Sequence, residues 1–408
     1  MGPCFRRDDI LWVWRNRARN RVGVGDVALK SLDIAIAGAG PAGLAAALYL
    51  HRLGHRVHIA ERFETPRPLG SGLILQPTGL AVLADLGLRD AIEALGQPLE
   101  RLRGNDAASG RVVLDVRYDA ILGLGQGLGV HRAALFNVLH DAVRAAGIPI
   151  ETSRTIHARG DLGAADLIVD ALGAQSTLRP DVGRPLRYGA LWATVPWIDA
   201  GFEPHALLQR YRSASTMIGV LPIGQRQAAF FWSLRTDEYA ALLAAGFEAW
   251  ADAVRGHWPD TAPHLDAIGS FEALTLARYS HHTMTTPANE GIVHIGDSAH
   301  SASPQLGQGA NMALLDARAL FVAMRDAEDL PAALTRYCAL RRGHVRLYQA
   351  LSAAFTPFYQ SDSRVLPAIR DLLVSYLARV PPAPQILAAM VSGTLMNPLQ
   401  ALGISGQR

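Results

Sequence analysis

Residues 32–37 are almost wholly apolar, as a buried strand is, and a glycine-rich turn follows them. Residues 44–53 then have the composition of a helix stopped by Gly54, and residues 57–61 read as a second buried strand. The order predicts a βαβ unit with a right-handed crossover. Residues 34–50 carry no charged side chain, so a hydropathy window would flag them as a membrane span. Gly38, Gly40, Pro41 and Gly43 argue otherwise, because a proline among closely spaced glycines suits a strand, a tight turn and a new helix. No integral membrane segment is predicted.

Further along, residues 78–86 and 89–95 look helical, residues 132–146 form an amphipathic helix ending at Gly147, and residues 165–170 return to strand. Between 187 and 234 the pattern changes to segments rich in Trp, Tyr, Phe, Val and Thr, notably 206–211, 217–221 and 228–232. This predicts a second sheet inserted between two halves of a nucleotide-binding lobe. Residues 240–258 are helical in composition, 291–295 form a buried strand running into a glycine-aspartate turn, and helix dominates from Asn311 onward. The expected organisation is a basic extension (1–30), a discontinuous nucleotide-binding domain (31–80, 128–186, 275–345), substrate-side segments with β-sheet (81–127, 187–274) and a C-terminal helical tail (346–408).

Composition narrows the function classes. The 39 basic and 36 acidic side chains nearly balance, leaving a net charge of +3, so nothing in the bulk charge calls for nucleic acid or an anionic membrane. Arginines do cluster before Lys30, and Arg6-Arg7 invites an export reading. The apolar region that would serve it is the glycine turn itself, which cleavage would destroy, so a loosely ordered extension is expected. Cys4 and Cys338 alone cannot build a disulfide framework or a cysteine-rich metal site. No metal is expected, and a reducing cytoplasm fits best.

Two segments carry chemistry. Gly38-Ala39-Gly40-Pro41-Ala42-Gly43 sits at the strand-to-helix turn, where missing side chains allow close approach of a pyrophosphate to a helix N-terminus. Glu61 ends the next strand, where a carboxylate can bind the two hydroxyls of an adenosine ribose. The second segment is Gly296-Asp297-Ser298-Ala299-His300, continuing through Pro304, Gly307, Gln308, Gly309, Ala310 and Asn311 into a helix. Its aspartate can accept from sugar-chain hydroxyls, and its glycine-rich helix start presents backbone donors to an electron-rich ring edge.

Together these motifs resemble the group A, single-component FAD-dependent monooxygenases, the para-hydroxybenzoate hydroxylase-like aromatic hydroxylase family, over roughly residues 32–350. The resemblance implies an α/β fold with a Rossmann-type FAD-binding lobe, an inserted substrate-domain β-sheet and a C-terminal helical tail. It implies that the first glycine motif holds the ADP half of FAD, Glu61 the adenosine ribose and Asp297 the ribityl chain, with Arg62 also among the cofactor-binding residues. Pro304 would lie beside the isoalloxazine and Gly307 to Asn311 along its pyrimidine edge. Arg132, which opens the helix at 132–146, matches a family arginine that reaches the cofactor.

One departure stands out. Where the family carries a GADG-x-x-S motif, this chain has Asp170-Ala171-Leu172-Gly173-Ala174-Gln175-Ser176, with Leu172 in place of the aspartate. Asp170 is a partial substitute two residues away, and direct reduction by NADH or NADPH becomes less secure. Residues 155–165 are also short for the antiparallel excursion usual in the family.

By resemblance the chain hydroxylates or epoxidises a small aromatic or unsaturated polycyclic compound with O₂, through a flavin C4a-hydroperoxide, as a monomer or homodimer. Leu73, Leu75, Trp192, Tyr211, Met217, Leu221, Phe230 and Trp232 are candidates for the pocket wall, and no residue stands out as a general base. The alternatives are an FAD-dependent reductase or dehydrogenase of the same fold, and a non-catalytic flavin-binding scaffold or sensor.

Overall fold

The computed structural model describes residues 29–65, 70–180, 183–363, 365–377 and 380–404. The basic extension expected at 1–30 therefore lies outside the described residues except for its last two. The apolar strand Asp33–Ala37 forms the middle of a six-stranded sheet, paired in parallel with Arg56–Ala60 on one side and Leu167–Asp170 on the other. Ile292–His294 extends the sheet beyond Leu167–Asp170, and Ala288–Asn289 closes that edge in antiparallel fashion. Ile150–Glu151 closes the opposite edge. Strands buried on both faces need no polar alternation, which is why 32–37 reads as a continuous apolar run.

The helix Pro41–Arg52 crosses between the first two strands with Pro41 at its first turn, and its residues from Ala42 to Leu50 are buried. Against it and the helix Pro77–Leu86 packs Gly309–Arg325, which is buried along almost its whole length. All the carboxyl ends of the parallel strands (Ala37, Ala60, Glu151, Asp170, His294) point to one edge. That edge gathers the glycine turn, Glu61 and the Gly296–Asp297 turn, as open α/β sheets do at their ligand crevices.

A seven-stranded sheet stands beside this lobe, in the order Thr275–His281, Arg184–Pro196, Gln227–Arg235, Thr216–Pro222, Ala206–Arg212, Arg101–Asp106, Val112–Arg117. Two assignments from the sequence need correction. Thr275–His281, grouped with the nucleotide lobe in the sequence reading, pairs with Arg184–Pro196 and belongs to the second sheet. The division at 345/346 cuts through one continuous helix, Leu330–Tyr359, whose buried positions run from Ala333 to Tyr359. A small sheet of Gly72–Leu75, Gly127–His131 and Gln97–Leu99 joins the two lobes.

The two faces of the seven-stranded sheet serve different cores. Phe230, Trp232, Leu208 and Val220 pack outward against Trp250, Val254 and Trp258. Tyr211, Met217, Leu221 and Phe231 face inward, toward Ile74, Tyr359 and Val391. This is the alternation of a pleated strand, and it corrects the proposed pocket wall at four positions. Phe230 and Trp232 belong to the outer core. Leu73 and Leu75 point into the nucleotide lobe, so Ile74 between them is the residue of that strand that meets the sheet.

Candidate active site

The first glycine turn is set by close approaches. Gly38 has φ +100°, and a Cβ there would lie 2.6 Å from the Ala171 carbonyl oxygen; one on Gly43 would lie 2.1 Å from the Gly38 oxygen. Gly40 is different: it has φ −72°, and a Cβ on it would meet nothing within 4 Å. The space in front of Gly40 is open, and the N-terminus of Pro41–Arg52 faces it. Glu61 stands at its side, with Oε2 accepting from the Ala39 N–H at 2.7 Å and Oε1 from the Phe63 N–H at 3.2 Å. Each oxygen keeps a lone pair for a hydroxyl donor.

The second turn abuts the first: a Cβ on Gly296 would touch that of Ala42 at 3.2 Å. Asp297 follows, surrounded by protein yet with its carboxylate open to the crevice and without a hydrogen-bond partner among the described residues. Burial raises its pKa, opposed by His300 and by Arg132. Arg132 begins the helix Arg132–Ala145, whose first turn is capped by His131 Nδ1 accepting from the Ala133 N–H. Its exposed guanidinium makes no ion pair among the described residues. Pro304 opens a short turn to Leu306, and Gly307, left-handed at φ +61°, leads into Gly309–Arg325. The first return bond of that helix runs from Met312 N–H to Gln308 O at 2.8 Å, so the N–H groups of Gly309, Ala310 and Asn311 point out of its end.

The comparisons with known proteins agree with this geometry. The FAD binding domain family model matches residues 31–181 and 151–345. Phenazine 1,6-dicarboxylic acid hydroxylase PhzS of Lysobacter antibioticus is 31% identical over 360 residues, covering 76% of this chain and 86% of that protein. The 3-amino-4-hydroxybenzoate 2-monooxygenase of Streptomyces cremeus is 27% identical over 316 residues, covering 71% and 78%. Klebsiella pneumoniae HpxO, solved with FAD and uric acid, superposes with a TM-score of 0.77 at 20% identity over 90% of this chain and 98% of that one. The chain belongs to the family of FAD-dependent monooxygenases.

The residues of this flavoprotein fit the cofactor. The open space at Gly40, the unpartnered carboxylate of Asp297, the free guanidinium of Arg132 and the outward N–H groups at Gly309–Asn311 are the complements of a pyrophosphate, a polyol chain and a polar ring edge. Arg62 lies apart, exposed, with its guanidinium over the Phe63 ring at 4.7 Å. The Asn311 side chain is a clasp: Oδ1 accepts from the Gln76 N–H at 2.8 Å, and Nδ2 donates to the carbonyls of Ile74 and Gly307 at 3.1 and 3.0 Å. Only its backbone N–H is left for a ligand.

Asp170 does not replace the missing aspartate. It is fully buried, and its carboxylate accepts from the Leu172 N–H at 3.0 Å and the Ser176 hydroxyl at 2.6 Å, with His294 Nδ1 at 2.6 Å. Leu172 is half-buried and packs with Leu178 beside Ile168 and Ile292.

Sequence reasoning missed the support beneath the site. Asp316 is fully buried; its carboxylate accepts from the Gly296 N–H at 2.7 Å and from Arg341 Nε at 2.6 Å, with His300 Nε2 at 2.6 Å. Burial raises its pKa, but His300 and Arg341 hold it well below the usual carboxylate range. A lone carboxylate in the apolar run 312–324 was the available signal. Gln76 is also buried, its Oε1 accepting from the Tyr118 hydroxyl at 2.6 Å, and burial keeps that phenol protonated by raising its pKa.

Proposed function

We propose that this flavoprotein inserts one oxygen atom of O₂ into a small aromatic or unsaturated polycyclic compound, with NADH or NADPH as the electron donor. One observation carries the reading. Leu306 and Met312, in and after the turn beside the expected ring position, and Met217, Leu221 and Phe231 on the inner sheet face belong to two apolar clusters that share Phe355 and Leu387, so the side between turn and sheet is apolar. A flat hydrophobic substrate is what such a wall orients, and apolar lining excludes water from the reacting atoms.

FAD, when bound, supplies the electron storage and the activation of dioxygen. The rest falls to the chain. Glu61, Gly40 and Asp297 bind and orient the cofactor, Arg132 offsets the negative charge around it, and the N-terminus of Gly309–Arg325 directs its positive end toward developing negative charge at the ring edge. Trp192 is fixed by donating through Nε1 to the Tyr279 hydroxyl at 3.0 Å and stacks obliquely on Phe231 at 4.7 Å, giving the inner face a rigid aromatic edge. The names of the relatives, hydroxylases and monooxygenases of aromatic acids and phenazines, support the same substrate class.

A dehydrogenase or reductase reading is favoured by Leu172, which cannot offer the carboxylate implicated in nicotinamide binding. Anaerobic mixing of the FAD-loaded protein with NADH or NADPH, with and without a panel of phenolic and polycyclic aromatics, separates the two. Substrate-accelerated flavin reduction, followed on aeration by a product heavier by one oxygen, is the expected outcome. A product changed only in hydrogen content overturns the oxygen-insertion reading.

A further inference from the structure

The Asp170–His294 pair is built into a cavity wall that the chemistry above does not use. The two residues end neighbouring parallel strands in register, so their side chains meet at one level of the sheet. With Nδ1 committed to the buried carboxylate, the imidazole is locked in orientation and Nε2 is the nitrogen available outward. His294 lines a cleft of about 470 Å³, and so do Arg159 and Arg179.

The connection into Leu167–Asp170 beside the cleft is short, as its length in the sequence implied. It is a single 3₁₀ turn, Arg159–Leu162, and Asp161 pins it by accepting from the N–H groups of His157 and Ala158 at 2.7 and 2.9 Å. Arg159 Nη1 reaches across to the Glu290 carbonyl at 3.3 Å, holding that guanidinium at the cleft. Thr285, Thr286 and Asn289 add neutral polar groups, Leu178 and Met284 an apolar side, and among the described residues no carboxylate lines the space.

Two guanidinium groups and an imidazole braced by a buried carboxylate are a receptor for a multiply charged anion. A phosphate monoester presents three terminal oxygens and two charges to three such donors, whereas a carboxylate offers two oxygens and one charge. The cleft volume leaves room for an organic body on the apolar side. The Gly173–Gln175 turn packs against Asp297–His300, so the cleft lies next to the flavin crevice. We propose that this cleft is a phosphate-monoester site, with Arg159, Arg179 and His294 as its anion receptors and Asp170 as the brace. The phosphate belongs either to the ribose of NADPH, which rests on the nicotinamide reading above, or to a free phosphorylated small molecule.

Calorimetric titration of the FAD-loaded protein tests this without turnover, so its failure leaves the oxygen-insertion reading untouched. The probes are 2′,5′-ADP, 5′-AMP, glucose 6-phosphate, NADPH and NADH, each against wild type, H294Q and R159Q. Binding of a phosphate monoester to wild type, weakened at least tenfold in each variant with FAD content retained, is the expected result. Tighter binding of 2′,5′-ADP and NADPH than of 5′-AMP and NADH assigns the phosphate to the electron donor; equal binding of 5′-AMP or glucose 6-phosphate assigns it to a free compound. If H294Q loses FAD, R159Q decides alone, because the one hydrogen bond shown for the Arg159 side chain goes to a backbone carbonyl. Affinities equal in wild type and R159Q, or no monoester bound by wild type, overturn the proposal.

Discussion

Asp316 accepts the backbone N–H of Gly296 at 2.7 Å, which ties the middle of a buried helix to the turn presenting Asp297. The same carboxylate is paired with His300 and Arg341, so its removal strands charge in the core. Asp316→Asn is expected to cost about 3–5 kcal/mol, the range for breaking a buried ion pair. Urea unfolding measures the loss, and FAD should be shed well before the protein unfolds. Wild-type FAD affinity in this variant would separate the network from the flavin turn.

The two neighbouring glycines should respond differently to the same methyl group. Gly43→Ala forces a Cβ to 2.1 Å from the Gly38 carbonyl and should destabilise the apoprotein itself. Gly40→Ala meets nothing in the protein and has an ordinary φ, so the apoprotein should keep its stability to within about 0.5 kcal/mol. Its FAD dissociation constant should nevertheless rise tenfold or more. Unchanged FAD affinity in Gly40→Ala would mean that the space before this residue is not the pyrophosphate's.

Sheet alternation makes a paired prediction at adjacent residues. Trp232→Ala empties the outer core, where the indole meets Trp250 at 6.1 Å, and should cost about 3–5 kcal/mol with little effect on KM of the folded enzyme. Phe231→Leu alters the inner face and should change KM or the coupling of NAD(P)H oxidation to product. Equal KM effects at both positions would dissolve the distinction between the faces.

Acid sensitivity should have a histidine component. Burial lowers the His264 pKa to about 4 and, with Arg341 adding to it, the His344 pKa to about 3, from an ordinary 6.5. Between those values and 6.5 the unfolded chain binds more protons, so stability falls as pH drops through this window and is fully present above it. Thermal melts at pH 7.5 and pH 5 should show a drop that shrinks in His264→Leu. That variant should also melt higher at neutral pH, since both ring nitrogens of His264 are buried without partners among the described residues, against the edge of Phe202.

What could be read from the sequence was local. Gly38 and Gly43 announce their turn because the constraint lies within a few residues, and the short apolar, aromatic-rich run at 228–232 marks a strand by its composition. Which face of that strand meets the flavin lobe depends on the helix Phe247–His257 covering Trp232, and no short-range pattern contains that information. Asp170 illustrates the same limit: its partner His294 lies 124 residues away, so its local sequence does not reveal that its carboxylate is already committed. The Asp316 network joins residues from three separate elements, each unremarkable alone.

The end of the helix Ala383–Ser392 offers three consecutive carbonyls to the site's framework: Val391 accepts from Gln308 Nε2, Ser392 from the Thr78 hydroxyl at 3.2 Å, and Gly393 from His344 Nε2 at 3.1 Å. Gln308 belongs to the flavin turn itself. Synthesis proceeds from the amino end, so this turn emerges from the ribosome more than eighty residues before the segment that fastens it. A nascent chain holding only its first βαβ unit has the first glycine turn but not the clasp on the second. The clasp on this turn thus waits for residues 391–393, and a translation product truncated before them is expected to lack it.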